Sequence, residues 1–326
     1  MGVAVKALQE HGWIALAAGL GPLALSYPVE LYLIALAVFG LPHVLWEMAW
    51  VWRVWSATLP RVTWVLLASA LLLQAAARIA LWHGRVDADV AALCDAATLA
   101  LALLAMLVLW PRVPLRRRWL LVALAVAVPM LLIGIADTPA VMGLLALLAI
   151  AHNFTPIGLV PADARLGSWQ ARRVLLALFA LPLALFALLL AWGAGSTPSI
   201  ASRPSELGWV QQVSPRVAAA VLPALVWAQC LHYLAVIYLV PRSIGTAWQG
   251  VPWRSLALLA SALLFAYFVV DFTAARGLYA VAAGMHAWLE WPLILLVLVR
   301  PQGTGGSAPR DHSRRPDGVR EVPISL

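Results

Sequence analysis

Apolar runs of about 20 residues, parted by short polar breaks, recur along this chain from Trp13 to Val299. The runs are continuous and rich in Leu and Ala. They lack the strict apolar/polar alternation of a membrane β-strand, so the repeating element is a helix that satisfies its own backbone hydrogen bonds. The pattern predicts spans at 10–26, 29–50, 62–82, 88–110, 119–136, 138–160, 174–193, 217–240, 252–272 and 278–299. The expected fold is an all-α integral membrane protein, a polytopic bundle of about ten transmembrane helices within residues 1–300. Residues 301–326, rich in Gly, Pro, Ser and Arg, are expected to form a disordered basic cytoplasmic tail. Residues 1–26 resemble a signal peptide, with Lys6, an apolar stretch from Trp13 and small residues around Ala24 and Ser26. Further spans follow at once, so we read a short first helix.

Composition agrees with a lipid solvent. Hydrophobic residues make up 63% of the chain and charged residues 11%, with a mean hydropathy of +0.90, far from ordinary soluble composition. The net charge of +8 would suit nucleic-acid binding if the basic residues clustered, but they fall in alternate loops. Lys6, Arg53, Arg61, Arg112, Arg116, Arg117, Arg118, Arg165, Arg172, Arg173, Arg242, Arg254, Arg300, Arg310, Arg314, Arg315 and Arg320 lie on the N-terminal side of the membrane. Only Arg85, Arg203, Arg216 and Arg276 lie opposite, and Arg78 is inside a span. By the positive-inside rule both termini are cytoplasmic, in a multi-pass protein of the cell inner membrane. The same distribution explains the basic charge without a nucleic-acid partner and leaves membrane lipid as the surrounding partner. Cys94 and Cys230 both fall within predicted helices, so neither a disulfide framework nor a paired-cysteine metal motif is present.

Ionisable groups at membrane depth are costly and face a bundle interior or a cavity when they persist. Here they concentrate in the even-numbered spans: His43 and Glu47, Asp95, His152 with Asn153, His232, and His286 with Glu290. All five spans run from the outer face inward, so depth is comparable from their inner ends. At 1.5 Å per residue, His43, His152 and His232 lie about 10–12 Å from that boundary, Glu290 about 14 Å, His286 and Asp95 about 20 Å, and Glu47 roughly 4–5 Å. In His43-Val-Leu-Trp-Glu47 and His286-Ala-Trp-Leu-Glu290 a carboxylate follows a histidine by four residues, on the same helical face. Neutral imidazoles bind Fe, Zn, Cu or Mn, and a neighbouring carboxylate either ligates too or orients the ring. The candidate metal ligands are therefore His43, His152, His232 and His286, with Glu47 and Glu290 as supporting or supplementary groups. Asp95 either carries protons for the site or makes a structural hydrogen bond. His11, His83 and His312 are peripheral, and Asp137 and Asp271 suit solvated or capping roles at outer span ends. Trp46, Trp227, Trp288 and Trp291 lie inside spans near histidines, where they either wall a lipophilic pocket or pack as core.

The segment Phe39-Gly-Leu-Pro-His43-Val-Leu-Trp-Glu47 resembles the first signature of the Brp/Blh family of bacterial membrane β-carotene 15,15′-dioxygenases. Ala151-His152-Asn153-Phe154, Cys230-Leu231-His232-Tyr233 and Gly284-Met285-His286-Ala287 are similar in order and context to the later ones. The resemblance implies a multi-helix membrane protein with histidine-bound nonheme Fe(II) and dioxygen as co-substrate, cleaving a carotenoid to an apocarotenal such as retinal. This chain departs from the pattern at Val236, where the family has a second histidine four residues after the one matching His232. Pro156 and Ile157 stand where the family has an aspartate. The resemblance thus implies a carotenoid-cleaving enzyme or a diverged relative acting on another lipophilic substrate drawn from the bilayer.

Two other readings use the same residues. Histidines on facing helices hold haem b in membrane bundles, and intramembrane His and carboxylate groups relay protons or bind cations in transporters. No Ser/His/Asp triad, phosphate-binding glycine loop or dinucleotide fingerprint occurs. The topology has a direct test. Reporter fusions after Arg320 and within 194–216 are expected on opposite sides of the membrane; the same side for both would overturn the assignment.

Overall fold

A computed structural model describes residues 2–135, 138–159, 169–192, 215–239 and 252–299. The predicted tail and the long 194–214 loop lie outside the described residues, as does Asp137. The described chain is helical, in the order α1 Gly2–Ser26, α2 Pro28–Trp55, α3 Arg61–Trp82, α4 Ala88–Ala105, α5 Leu115–Gly134, α6 Thr138–Ala151, α7 Pro156–Leu159, α8 Trp169–Trp192, α9 Pro215–Leu234, α10 Pro252–Val270 and α11 Phe272–Val299. Three segments of tighter or wider winding extend these: Met106–Arg112 after α4, His152–Phe154 after α6 and Ala235–Leu239 after α9.

Among the described residues, seven helical segments are long and apolar enough to cross a membrane: Pro28–Trp55, Arg61–Trp82, Ala88–Arg112, Leu115–Gly134, Arg173–Trp192, Arg216–Tyr238 and Phe272–Val299. Shorter apolar helices are Ile14–Ser26, Pro139–Phe154 and Arg254–Val270. The protein is a helical multi-pass membrane protein. Its polarity is the reverse of a soluble domain: Leu115, Ile133, Trp192 and Val270 stand exposed on the outside while His43, Glu47, Asp95, His232, His286 and Glu290 are buried. Lipid accepts the apolar exterior, and the polar side chains gather where lipid cannot reach.

Local sequence explains where the helices start and stop. The Asp87 carboxylate accepts a hydrogen bond from the Val90 amide at 2.8 Å, and Asp271 accepts one from Ala274 at 2.9 Å; both cap the start of the next helix. Asp271 therefore has the capping role expected of it. Gly84 takes the left-handed conformation, φ +64°, in the turn between α3 and α4, where only glycine is free of strain. At one end of the bundle Arg112 donates to the Thr58 carbonyl at 3.3 Å and Arg117 to the Leu298 carbonyl at 3.0 Å. The turn after α2, the start of α5 and the end of α11 therefore lie together.

Helices α2 and α11 are the centre of the bundle. The largest buried cluster joins residues of α2–α6 and α11, including Trp50, Leu99, Met106, Leu121 and Leu293. A second joins Ala17 and Ala24 of α1 to Phe179 of α8 and Trp227 and Leu231 of α9. Two smaller ones pack α9 against α2, and α10 and α11 against α2. In the second cluster the Trp227 indole donates to the Ala17 carbonyl at 2.9 Å, and a Cβ at Gly21 would come 2.8 Å from that ring. The buried, hydrogen-bonded indole has little freedom to yield. Gly21→Ala is expected to lower stability by about 1–3 kcal/mol through overpacking. Gly19→Ala, with nothing within 4 Å of its new Cβ, should be neutral or gain up to about 1 kcal/mol of helix propensity. Thermal unfolding of the two variants in detergent compares them, and equal behaviour would show that α1 does not pack on Trp227 through Gly21.

Candidate metal centre

Four of the candidate residues come from four different helices. His43 stands midway along α2, His152 follows directly on α6, His232 lies near the end of α9 and His286 midway along α11. Their rings converge. Centroid separations are 5.3 Å for His43–His232, 4.9 Å for His43–His286, 5.0 Å for His152–His232, 5.6 Å for His152–His286 and 5.7 Å for His232–His286. His43, His232 and His286 are each at most 2% exposed. They offer ring nitrogens within 4.8 Å of one another, as do Glu47, His232, His286 and Glu290 with their carboxylate oxygens.

The chain sets two of these rings by one device. His43 Nδ1 lies 3.0 Å from the Phe39 carbonyl and His152 Nδ1 2.5 Å from the Ala149 carbonyl. A carbonyl only accepts, so each Nδ1 carries the proton and each Nε2 keeps its lone pair. Backbone irregularity attends both later positions: the chain tightens at His152–Phe154 and widens at Ala235–Leu239, one residue beyond the turn that bears His232. Asn153 Nδ2 ties the tightened segment to the Ile150 carbonyl at 3.0 Å. The Thr155 hydroxyl lies 2.6 Å from both the His152 carbonyl and Oε2 of Glu290, and so joins His152 to α11.

Both carboxylates reach His286. Glu47 Oε2 is 3.6 Å from Nδ1 and Glu290 Oε1 is 3.7 Å from Nε2. The structure thus corrects the expected depth of Glu47. Helix α2 runs on to Trp55 rather than ending at 50, because Val51-Trp52-Arg53-Val54-Trp55 stays helical in the interfacial zone. Counted from Trp55, Glu47 lies about 12 Å and His43 about 18 Å along the helix; counted from Val299, Glu290 lies about 14 Å and His286 about 20 Å. The two His-x-x-x-Glu segments are level and face one another. Glu47 and Glu290 are equivalent members of the site, where counting from residue 50 had favoured Glu290.

Asp95 is drawn elsewhere. Its Oδ2 takes a charge-assisted hydrogen bond from Nη2 of Arg78, across the α3–α4 contact, and it is in neither group of candidate ligands. Arg78, conspicuous in the sequence as a cation inside a span, was the signal for this partner. None of Trp46, Trp227, Trp288 and Trp291 lines the cavity beside the histidines. That cavity, of about 290 Å³, is bounded by His43, His152 and His286 with Tyr32, Gln229, Tyr233 and Tyr279. Tyr233 stacks on His43 at 4.1 Å. The tyrosines went unnoticed in the sequence because a Tyr in a span reads as an ordinary interfacial or packing residue. His83 is exposed in the turn after α3, and position 11 falls within α1.

The donor set fits a metal ion. Neither ring nitrogen of His232 has a hydrogen-bond partner, nor do His286 Nε2, both carboxylate oxygens of Glu47 or Glu290 Oε1. Buried polar atoms are almost always paired, and a convergent group of unpaired lone pairs marks a place for a cation. At a metal–nitrogen distance of about 2.0–2.1 Å, imidazole centres stand roughly 3.2 Å from the ion, and tetrahedrally arranged rings about 5 Å apart. The observed separations match that spacing. Comparison with protein-family models, with curated proteins and with solved structures found no match.

The Arg78–Asp95 pair carries its own expectation. Arg78→Ala strands a buried carboxylate and should cost about 3 kcal/mol. Pairing it with Asp95→Leu should restore most of that loss, because an apolar pair needs no compensating charge. Thermal unfolding of the single and double variants measures the coupling, and additive losses would show that the pair does not interact.

Proposed function

We propose that this protein is a ten-span inner-membrane metalloenzyme, with both termini cytoplasmic, that binds nonheme iron through His43, His152, His232 and His286 and oxidises a lipophilic molecule from the bilayer. The observation that carries this reading is the convergence of four imidazole rings from four helices, with nitrogens of His43, His232 and His286 within 4.8 Å of one another and His152 packed against His232 and His286, beside a mainly apolar cavity. The shorter apolar helices Ile14–Ser26, Pro139–Phe154 and Arg254–Val270 would supply the other three spans, and the meeting of Arg112 and Arg117 with the turn after α2 and the end of α11 supports the orientation. The resemblance to the Brp/Blh dioxygenases supports the reaction class, oxidative cleavage of a carotenoid to an apocarotenal such as retinal.

Each part of the chain has a defined task in that reading. The Phe39 and Ala149 carbonyls hold His43 and His152 in the tautomer that presents Nε2. Glu47 and Glu290 flank His286, offset the charge of a divalent cation in a low-dielectric interior, and orient the imidazole. Apolar helix faces exclude water from the cavity. Iron bound there supplies the redox chemistry that dioxygen requires.

Haem fits the five close ring pairs poorly: two axial imidazoles on one haem iron stand on opposite sides of the macrocycle with centres more than about 6 Å apart, whereas these five pairs are 5.7 Å or less apart. A proton or cation relay draws on one observation, His286 between two carboxylates, and metal analysis separates it from the enzyme.

Purified full-length protein should contain near-stoichiometric iron and show no Soret band. His43→Ala, His152→Ala, His232→Ala and His286→Ala should each remove most of it, because each deletes one of the nitrogen donors that complete the coordination. Glu47→Gln and Glu290→Gln should each weaken metal affinity by about 10–100-fold. Full iron loading of all four histidine variants, in monodisperse protein, would overturn the site.

A further inference from the structure

The wall of the cavity next to His43 is polar in an unexpected way. Leu36, Leu222 and Leu225 give it an apolar lining, yet Gln229, Tyr233 and Tyr279 stand in the same wall. Gln229 Nε2 donates to the Tyr233 hydroxyl at 2.6 Å, and Tyr279 lines the same wall. Tyr233 and Tyr279 are 4% and 7% exposed. A Cβ at Gly40 would come 3.0 Å from the Tyr279 ring, so the missing side chain at Gly40, three residues before His43, is what admits Tyr279 to the site. A cavity meant only for hydrocarbon gains nothing from two phenols and an amide at membrane depth, each of which must be desolvated.

We infer that this cavity takes a lipophile ending in an oxygen function, an alcohol or carbonyl, and that Tyr233 with Gln229 and Tyr279 binds the oxygen. This deepens the enzyme reading above and rests on it for the reactive role of the histidine cluster. Phenol hydroxyls and the Gln229 amide both donate and accept, so they match a hydroxyl or a carbonyl equally well. Because Tyr233 stacks directly on His43, the oxygen-bearing end lies beside the metal ligands. The half-enclosed cavity of about 290 Å³ is at the lower end of small-molecule pockets, which span about 300–1,000 Å³. It holds that end of a long molecule and lets the remaining chain extend beyond it. Bonds near the oxygenated end, rather than the middle of a long hydrocarbon, are then the ones presented to the cluster.

The test uses the full chain in detergent and two probes: parinaryl alcohol, and the same conjugated tetraene with hydrogen in place of the hydroxyl. Energy transfer from tryptophan to the polyene reports binding of each. The wild-type protein should bind the alcohol about tenfold tighter, a difference of about 1.4 kcal/mol. Tyr233→Phe keeps the ring against His43 and removes the hydroxyl, so it should reduce alcohol affinity to that of the hydrocarbon while leaving hydrocarbon binding and iron content unchanged. Gln229→Leu should reduce the preference as well and replaces Tyr233→Phe if that variant is not monodisperse. Equal binding of the two probes by the wild-type protein, or an undiminished preference in either variant, overturns the inference. Iron measured on the same samples keeps the two failures apart. Iron-loaded protein without the preference defeats the oxygen-binding wall alone, and iron-free protein with the preference defeats the metal reading while the wall stands.

Discussion

Histidine and glutamate side chains carried into an apolar helical bundle lose their water, and each unpaired polar group costs several kcal/mol there. This protein meets that constraint by collecting His43, Glu47, His152, His232, His286 and Glu290 in one volume instead of dispersing them. The rest of the architecture follows. Helices α2 and α11 each bring a histidine and a carboxylate to one level, so they must lie side by side at the centre. Helices α6 and α9 must approach closely enough to add one imidazole each. The remaining helices shield this volume, presenting Leu, Val and Trp outward to lipid.

A metal site of this kind also needs its ligands aimed, and the backbone does much of the aiming. The carbonyls of Phe39 and Ala149 take the Nδ1 protons of His43 and His152, leaving the other nitrogens free to face inward. Winding changes at His152–Phe154 and Ala235–Leu239 turn the α6 and α9 segments beside the cluster. Thr155 then links the His152 carbonyl to Glu290. Among the described residues, two of the three departures from regular α-helix adjoin His152 and His232, a common correlate of function in otherwise regular helices.

Two further polar groups answer the same constraint with different outcomes. Arg78 and Asp95 neutralise each other between α3 and α4 and so serve the packing of the bundle. Gln229 and Tyr233 are paired with each other and, with Tyr279, border the cavity, and Tyr233 touches the cluster through His43. The first pair neutralises its own charges; the second group presents donors and acceptors to whatever occupies the cavity.

The all-helical membrane character was legible in the chain, because apolar runs of membrane length have few other stable forms. So was the gathering of His43, His152, His232 and His286, since buried imidazoles at similar depths have few partners but one another. Helix ends were less legible. Val51–Trp55 is apolar enough to continue a span and aromatic enough to end one, and that five-residue ambiguity misplaced Glu47. Partner choice was decided only in three dimensions. Asp95 pairs with Arg78, not with the histidines, because α4 turns that face toward α3. The tryptophans pack or tie helices together, as Trp227 does to Ala17, while tyrosines line the cavity. Sequence spacing fixes which side chains share a helical face, but the rotation and level of one helix against another depend on the packing of all of them, and that arrangement chose which polar groups meet.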